Sequence, residues 1–374
     1  VHMPADSTHF TPKNVVVLIL ESFGKEYFGS LNPTLEGGHY KGYTPFLDSL
    51  IRKSLVFDYS FANGRTSIDG MPSSLSSIPM FVEKFLLTPA ALNNLTSVAG
   101  ELRKKGYYTA FFHGAANGSM GFQAFSRSAG YQDYFGRTEY GNDKDFDGNW
   151  AIWDEEFLQF FAQKMATFHQ PFSTGIYPEG SLPIHKCIRY SDHALQRFFE
   201  TAKKAPWFRN TIFVLTADHT NQTEHPEYQT EAGIHSIPII FYTPDGSLAG
   251  ERKGISQQID IMPTVLGYLG YDKPYVAFGC DLLHTPDEET YAVNYLDGIY
   301  QFFKGDYMIQ FDGEKTIAVY AFKTDVLLKH NLVGKVPQQA AMERELKAMI
   351  QQYMERMNHN QMVITPEGLN NQPF

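Results

Sequence analysis

The stretch NVVVLILESFG at residues 14–24 decides the fold. Val15, Val16, Val17, Leu18, Ile19 and Leu20 run without a polar break. A strand with one wet face would alternate, so this run predicts a strand covered on both faces, the habit of a parallel sheet. It ends in an acid, Glu21. A second stretch, NTIFVLTADHT at 210–220, has the same form and ends in Asp218 and His219. Around these, YTPFLDSLIRKSLVF (43–57) and SVAGELRKKGYYTAFFHGA (97–115) each read as a helix running into a strand. CIRYSDHALQRFFETAKKA (187–205) is an amphipathic helix with Ile188, Ala194, Leu195, Phe198 and Phe199 near one face, and SIPIIFYTP (236–244) is a further strand. Helix and strand alternate to about residue 285, which predicts an α/β fold, a mainly parallel sheet with helices on both faces. In such sheets the ligand crevice lies at the carboxyl ends of the strands, where Glu21, His113, Asp218 and His219 fall.

The pattern changes beyond that point. AVNYLDGIYQFFKGDYMIQFDGEKTIAVYAF (292–322) alternates and carries turn signals at Asp297-Gly298, Lys304-Gly305 and Asp312-Gly313. This predicts an antiparallel meander. QQAAMERELKAMIQQYMERM (338–357) supplies a closing helix. The division expected is a catalytic domain over residues 1–285 and a small α+β subdomain over 286–374.

Bulk properties exclude several classes. The chain has 374 residues and a formal net charge of -10. No basic cluster offsets that charge, which disfavours a nucleic-acid surface. Cys187 and Cys280 are the two cysteines, too few for a disulfide scaffold at this size. The longest aliphatic run is six residues, far short of a bilayer span. The chain opens Val-His-Met-Pro and not at an initiator Met, so an excised fragment is the expectation.

Three predicted strand ends bring together a carboxylate (Glu21), a hydroxyl pair in FANGRTSIDGMPSS (Thr66 and Ser67) and an Asp-His pair (Asp218, His219). Singly, each has an ordinary reading: a turn cap, a helix N-cap, a loop start. Jointly they form a donor set for one divalent ion, Mn²⁺ first, with Zn²⁺ or Mg²⁺ as alternatives. A metal-bound hydroxyl ionises readily, and the same ion polarises a phosphoryl or sulfuryl oxygen.

NVVVLILESFG, NGRTSIDGMP, FFHGAANGSMGF and LTADHT together resemble the alkaline phosphatase superfamily, in its sulfatase-like branch. Within that branch they look like the lipoteichoic acid synthase and phosphoglycerol transferase group. The resemblance runs from about residue 14 to 283. It implies an alkaline-phosphatase-like fold, metal ligands Glu21, Ser67 or Thr66, Asp218 and His219, and a nucleophilic hydroxyl. It also implies an extracytoplasmic domain anchored to the cell membrane by a region outside this chain. The implied reaction transfers a phosphatidylglycerol-like head group to a glycan or polymer acceptor through a covalent Ser/Thr intermediate. His113 resembles the family's phosphate-facing histidine, and Asn117 and Trp153 join it as substrate-binding candidates.

Between the hydroxyls, GRTS matches a Gly-Lys-Thr-Ser run and favours Thr66, whereas the spacing S-I-D-G-M-P favours Ser67. Pro72, easiest near a helix start, favours the later residue as the cap, and Ser67 is placed ahead. Two departures stand out. The Trp and Arg that the family carries seven and nine places after the histidine are here Met120 and Phe122. A His-Pro element ahead of the helix near Ile184 is also lacking, which raises the expectation of a shortened or missing loop near Thr174-Gly175. A hydrolytic sulfatase or phosphodiesterase is the second reading; no Cys-x-Pro-x-Arg motif accompanies the hydroxyl pair. A binding domain on the same fold is the third.

Overall fold

A computed structural model describes residues 1–4, 9–178 and 183–364. Eight strands form the larger sheet: β1 (Asn14–Leu20), β2 (Leu55–Phe61), β3 (Tyr108–His113), β4 (Asp133–Phe135), β5 (Phe172–Tyr177), β6 (Thr211–Ala217), β7 (Ile239–Tyr242) and β8 (Gly250–Gln257). Their order is β4-β3-β5-β1-β6-β7-β2-β8. Neighbours run parallel except at β7, which is antiparallel to β6 and β2. All seven residues of β1 and all seven of β6 are buried, as their unbroken aliphatic runs require. The two strands pair in register from Asn14↔Thr211 to Leu20↔Ala217, so Glu21 and Asp218 leave the sheet side by side.

The helices are α1 (Pro45–Ile51), α2 (Ser67–Ser76), α3 (Val98–Arg103), α4 (Phe122–Ser128), α5 (Arg137–Tyr140), α6 (Asp154–Met165), α7 (Ile184–Ala202), α8 (Ile261–Tyr268) and α9 (Gln339–Asn358). α7 packs on α1 and α6, while α2, α3 and α8 pack together. The apolar face read on α7 is the one it buries: Ile188, Ala194, Leu195, Phe198 and Phe199 are each fully inaccessible. No helix among the described residues is long and apolar enough to cross a membrane.

Four antiparallel strands follow, β9 (Tyr291–Leu296), β10 (Ile299–Lys304), β11 (Tyr307–Phe311) and β12 (Thr316–Tyr320), in a simple meander. α9 covers them with Met342, Leu346, Tyr353 and Met357, a helical stripe whose four members are buried. Phe303 on β10 stacks on Phe61 of β2 at 4.3 Å, so the second sheet shares packing with the strand next to the edge of the first.

The position expected for a shortened or missing loop holds a strand. Thr174 and Gly175 lie inside β5, buried and paired with β1 on one side and β3 on the other. A loop missing at that point would interrupt an interior strand. The strand runs unbroken to Tyr177, and the polar FSTG segment hides it from hydropathy patterning.

Candidate active site and metal centre

β1 and β6 deliver Glu21, Asp218 and His219 to one point, and ligand atoms of the three lie within 4.8 Å of one another. The turn after β1 is sharp. Ser22 adopts φ 59°, the left-handed region that non-glycine residues seldom enter. Its N–H donates to Asp218 Oδ1 (2.8 Å) and its hydroxyl to Glu21 Oε1 (2.6 Å). The His219 N–H also donates to Asp218 Oδ1, at 2.7 Å.

Electrostatics at this point are in conflict. Asp218 is fully buried. His219 Nδ1 donates to the Thr220 carbonyl (2.7 Å), which turns Nε2 inward toward the two carboxylates. Nε2 lies 3.1 Å from Asp218 Oδ2 and 3.6 Å from Glu21 Oε1. Two carboxylates converging on one ring nitrogen need a positive centre between them, which without an ion is a proton on Nε2. Burial and then the Asp218 charge push the Glu21 carboxyl up to about 7. Burial opposes a charged His219, but Asp218 and then Glu21 outweigh it and raise the imidazole to about 9. Burial also opposes the Asp218 charge, yet His219 holds that carboxyl below its usual range. A divalent cation would relieve all three, so the donor set fits one.

α2 places the hydroxyls. Ser67 is its first residue, and Ser67 Oγ donates to Glu21 Oε2 (3.1 Å) and sits 3.4 Å from His219 Nε2. Thr66 is the N-cap, and its side chain turns to Asp69 (Oγ1 to Oδ2, 2.7 Å), which also accepts the Thr66 N–H at 3.2 Å. This corrects the cap expected at Ser67. Pro72 is the sixth residue of the helix, not a marker of its start, and Asp69 selects the Thr66 end. Gly70 explains the S-I-D-G spacing: a Cβ there would stand 2.7 Å from the Asp218 backbone, so only glycine lets α2 lie against the metal-facing strand end.

The other predicted residues spread out. His113 ends β3, is fully buried, and faces the hydroxyl of Tyr134 (Nδ1 to OH, 3.1 Å). Asn117 is engaged at both ends: Nδ2 donates to the Glu139 carboxylate (3.1 and 2.9 Å) and Oδ1 accepts from Thr138 N (3.3 Å). Trp153 caps α6 and packs edge-on against Tyr190, with ring centroids 5.6 Å apart. Phe122, where the family carries an arginine, is buried against His113 and Tyr177.

Three residues at the site escaped the sequence reading. Tyr177 ends β5 with its hydroxyl on Glu21 Oε2 (2.5 Å) and Asp218 Oδ2. Gln258 ties the end of β6 to the segment ahead of α2: Nε2 donates to the carbonyls of Ala217 and Asp218 (2.8 and 2.7 Å), and Oε1 accepts from Asn63 N (2.8 Å). Arg65, half-buried two places before Ser67, bonds Thr220 Oγ1 (2.8 Å) and the Ile234 carbonyl. Neither Tyr177 nor Gln258 lies in a pattern that sequence spacing marks; Arg65 was signalled only by its place in the GRTS run.

Comparison with known proteins agrees with this geometry. The family model described as Sulfatase matches residues 13–181 and 184–271. Lipoteichoic acid synthase 1 of Bacillus subtilis (strain 168) is 24% identical over 85% of this chain and 54% of its own length. Lipoteichoic acid synthase-like YvgJ of the same strain is 25% identical over 75% of this chain and 51% of its own. The chain thus spans about half the length of the curated relatives it matches. Among solved structures, a protein in the alkaline phosphatase superfamily from Vibrio parahaemolyticus superposes with a TM-score of 0.83 at 22% identity, covering 97% of this chain and 91% of the other. The lipoteichoic acid synthase LtaP from Listeria monocytogenes gives 0.73 at 21% identity, covering 94% and 96%. The chain belongs to the sulfatase family, with the alkaline phosphatase superfamily fold, and its curated likenesses are lipoteichoic acid synthases.

Proposed function

We propose that this chain is the catalytic part of a phosphoglycerol-type transferase, moving a phospholipid head group to a glycan or polymer acceptor outside the cytoplasm. The observation that carries it is Ser67 Oγ against both Glu21 and His219 at the amino end of α2. Glu21, Asp218, His219 and Ser67 would hold one divalent ion, Mn²⁺ by preference for this oxygen-rich set. That ion would supply Lewis-acid stabilisation of charge on the reacting oxygens.

The chain's own groups supply the rest. Ser67 Oγ attacks phosphorus; the Oγ–P bond forms, the bond to the glyceride oxygen breaks, and diacylglycerol leaves with a proton. An acceptor hydroxyl then attacks the same phosphorus and frees Ser67. The first-turn amides and dipole of α2 favour the anionic group beside Ser67. Arg65 has no carboxylate partner among the described residues, which leaves its charge available to a phosphoryl oxygen. His113, Asn117 and Trp153 remain the proposed head-group wall, and 285/286 the proposed division between catalytic domain and subdomain.

The test offers purified protein with Mn²⁺ a phosphatidylglycerol analogue and an aryl sulfate. Diacylglycerol release is expected, with one glycerophosphate group trapped on the peptide bearing Ser67. Turnover of the sulfate ester alone would sink the reading.

A further inference from the structure

Tyr177 is fully buried, and its ring is already wedged edge-on against His113 (5.8 Å, 90°) and Phe122 (5.3 Å). A ring so placed would pack as well without its hydroxyl. The hydroxyl, however, meets Glu21 Oε2 and Asp218 Oδ2 and so touches both acidic members of the ligand set. The choice of oxygens is informative. Glu21 Oε1 is taken by the Ser22 hydroxyl, and Asp218 Oδ1 by two backbone N–H groups. Tyr177 therefore sits on the two oxygens that those donors leave over, the same side that faces Ser67 and His219.

A phenol has one hydrogen to donate. It can satisfy one carboxylate at a time, so the pair still calls for a positive centre. What the phenol does is fix where the two oxygens stand. β5 lies between β3 and β1, with His113↔Tyr177 in register, so the sheet itself holds the hydroxyl in place. Glu21 follows its strand and is 28% exposed, and apart from Tyr177 only the Ser22 and Ser67 hydroxyls hold its carboxylate inward.

We propose that Tyr177 is a positioning residue of the metal centre, orienting the Glu21 and Asp218 carboxylates toward the ion. The inference rests on the metal-site reading given above. The test is calorimetric titration of Mn²⁺ into wild type, Y177F and Y177H, with metal-free melting temperatures as the control for packing. Y177F keeps the ring and is expected to bind Mn²⁺ about ten- to a hundredfold more weakly, the usual cost of losing an outer-shell partner. Y177H retains a donor and is expected to fall between, and it decides the matter if Y177F does not fold. Unchanged or tighter Mn²⁺ binding in the variants, whatever their melting temperatures, would overturn the proposal; a hydroxyl that merely packs, or competes with the ion, gives that result. A wild type that binds no Mn²⁺ removes the metal-site reading itself, and this inference with it.

Discussion

The carboxyl ends of β1 and β6 and the carboxyl end of β3 open onto the same edge of the sheet and are built on opposite principles. At β3 the polar demands are matched: His113 faces the Tyr134 hydroxyl, Asn117 is spent on Glu139 and Thr138, and Arg137 pairs with Asp143 at 2.8 Å. At β1 and β6 they are left in conflict, with two carboxylates, one imidazole nitrogen and one phenol hydrogen converging on one point. Matched groups hold a scaffold, and conflicting groups wait for something to resolve them. On the proposed function, bond-making falls to the first pair of strands and the head-group wall to the other.

The largest expected effect tests the chemical side directly. Ser67→Ala should lower head-group transfer by at least about a thousandfold, as loss of a covalent nucleophile does. The adduct on that peptide should vanish while Mn²⁺ still binds. Arg137→Ala, which breaks the ion pair to Asp143 near the β3 end, should leave turnover within about tenfold of wild type and show at most as a slightly lower melting temperature. Equal losses in the two would erase the distinction between the strand ends.

Glu21→Gln should separate function from stability. The folded state holds the Glu21 proton up to about pH 7, well above an ordinary carboxylate, so this group's cost to stability builds up as the pH rises from its unfolded value of 4.5 to about 7 and is fully present at pH 8. Removing the charge should therefore stabilise the metal-free protein at pH 8, by on the order of 1–2 kcal/mol after the lost attraction to His219 is allowed for. Mn²⁺ affinity should fall in the same variant. A variant that loses both stability and metal binding would show that the conflict is already resolved without an ion.

The pH dependence of metal binding is a milder probe of the same tension. Glu21, raised to about 7, and His219, raised to about 9, must both shed protons to become ligands. Mn²⁺ affinity should climb as the pH rises from 6 to 9, with protons released on binding in buffers of different ionisation enthalpy. A flat profile would contradict the arrangement of charges at these strand ends.

Legibility in the sequence followed the kind of force involved. β1 and β6 were readable because burial on both faces writes an unbroken aliphatic run, and Glu21, Asp218 and His219 were readable because they follow such runs. The meander and α9 were readable from turn pairs and helical spacing. β5 was not, because Ser173, Thr174 and Gly175 are polar or small although an interior position buries all three. Tyr177 and Gln258 were out of reach for another reason. Their roles come from contacts to residues distant in the chain, and no local pattern records such a contact. The cap of α2 was misplaced because Asp69, not Pro72, sets it.

The smallest effect concerns the two adjacent hydroxyls, and it divides the comparison most finely, within a single turn. Thr66 belongs to the matched kind: its hydroxyl and N–H are both satisfied by Asp69. Ser67 belongs to the conflicting kind, one residue later, on Glu21 and His219. Thr66→Ala removes a cap contact and should cost about 1 kcal/mol of stability. Transfer should stay near wild type once the protein is assayed below its lowered melting temperature. Thr66→Ser, which keeps a hydroxyl for Asp69, should recover most of the stability. A Thr66→Ala enzyme that is fully stable yet inactive would reverse the assignment, making Thr66 the group that meets the substrate and Ser67 the one that merely begins the helix.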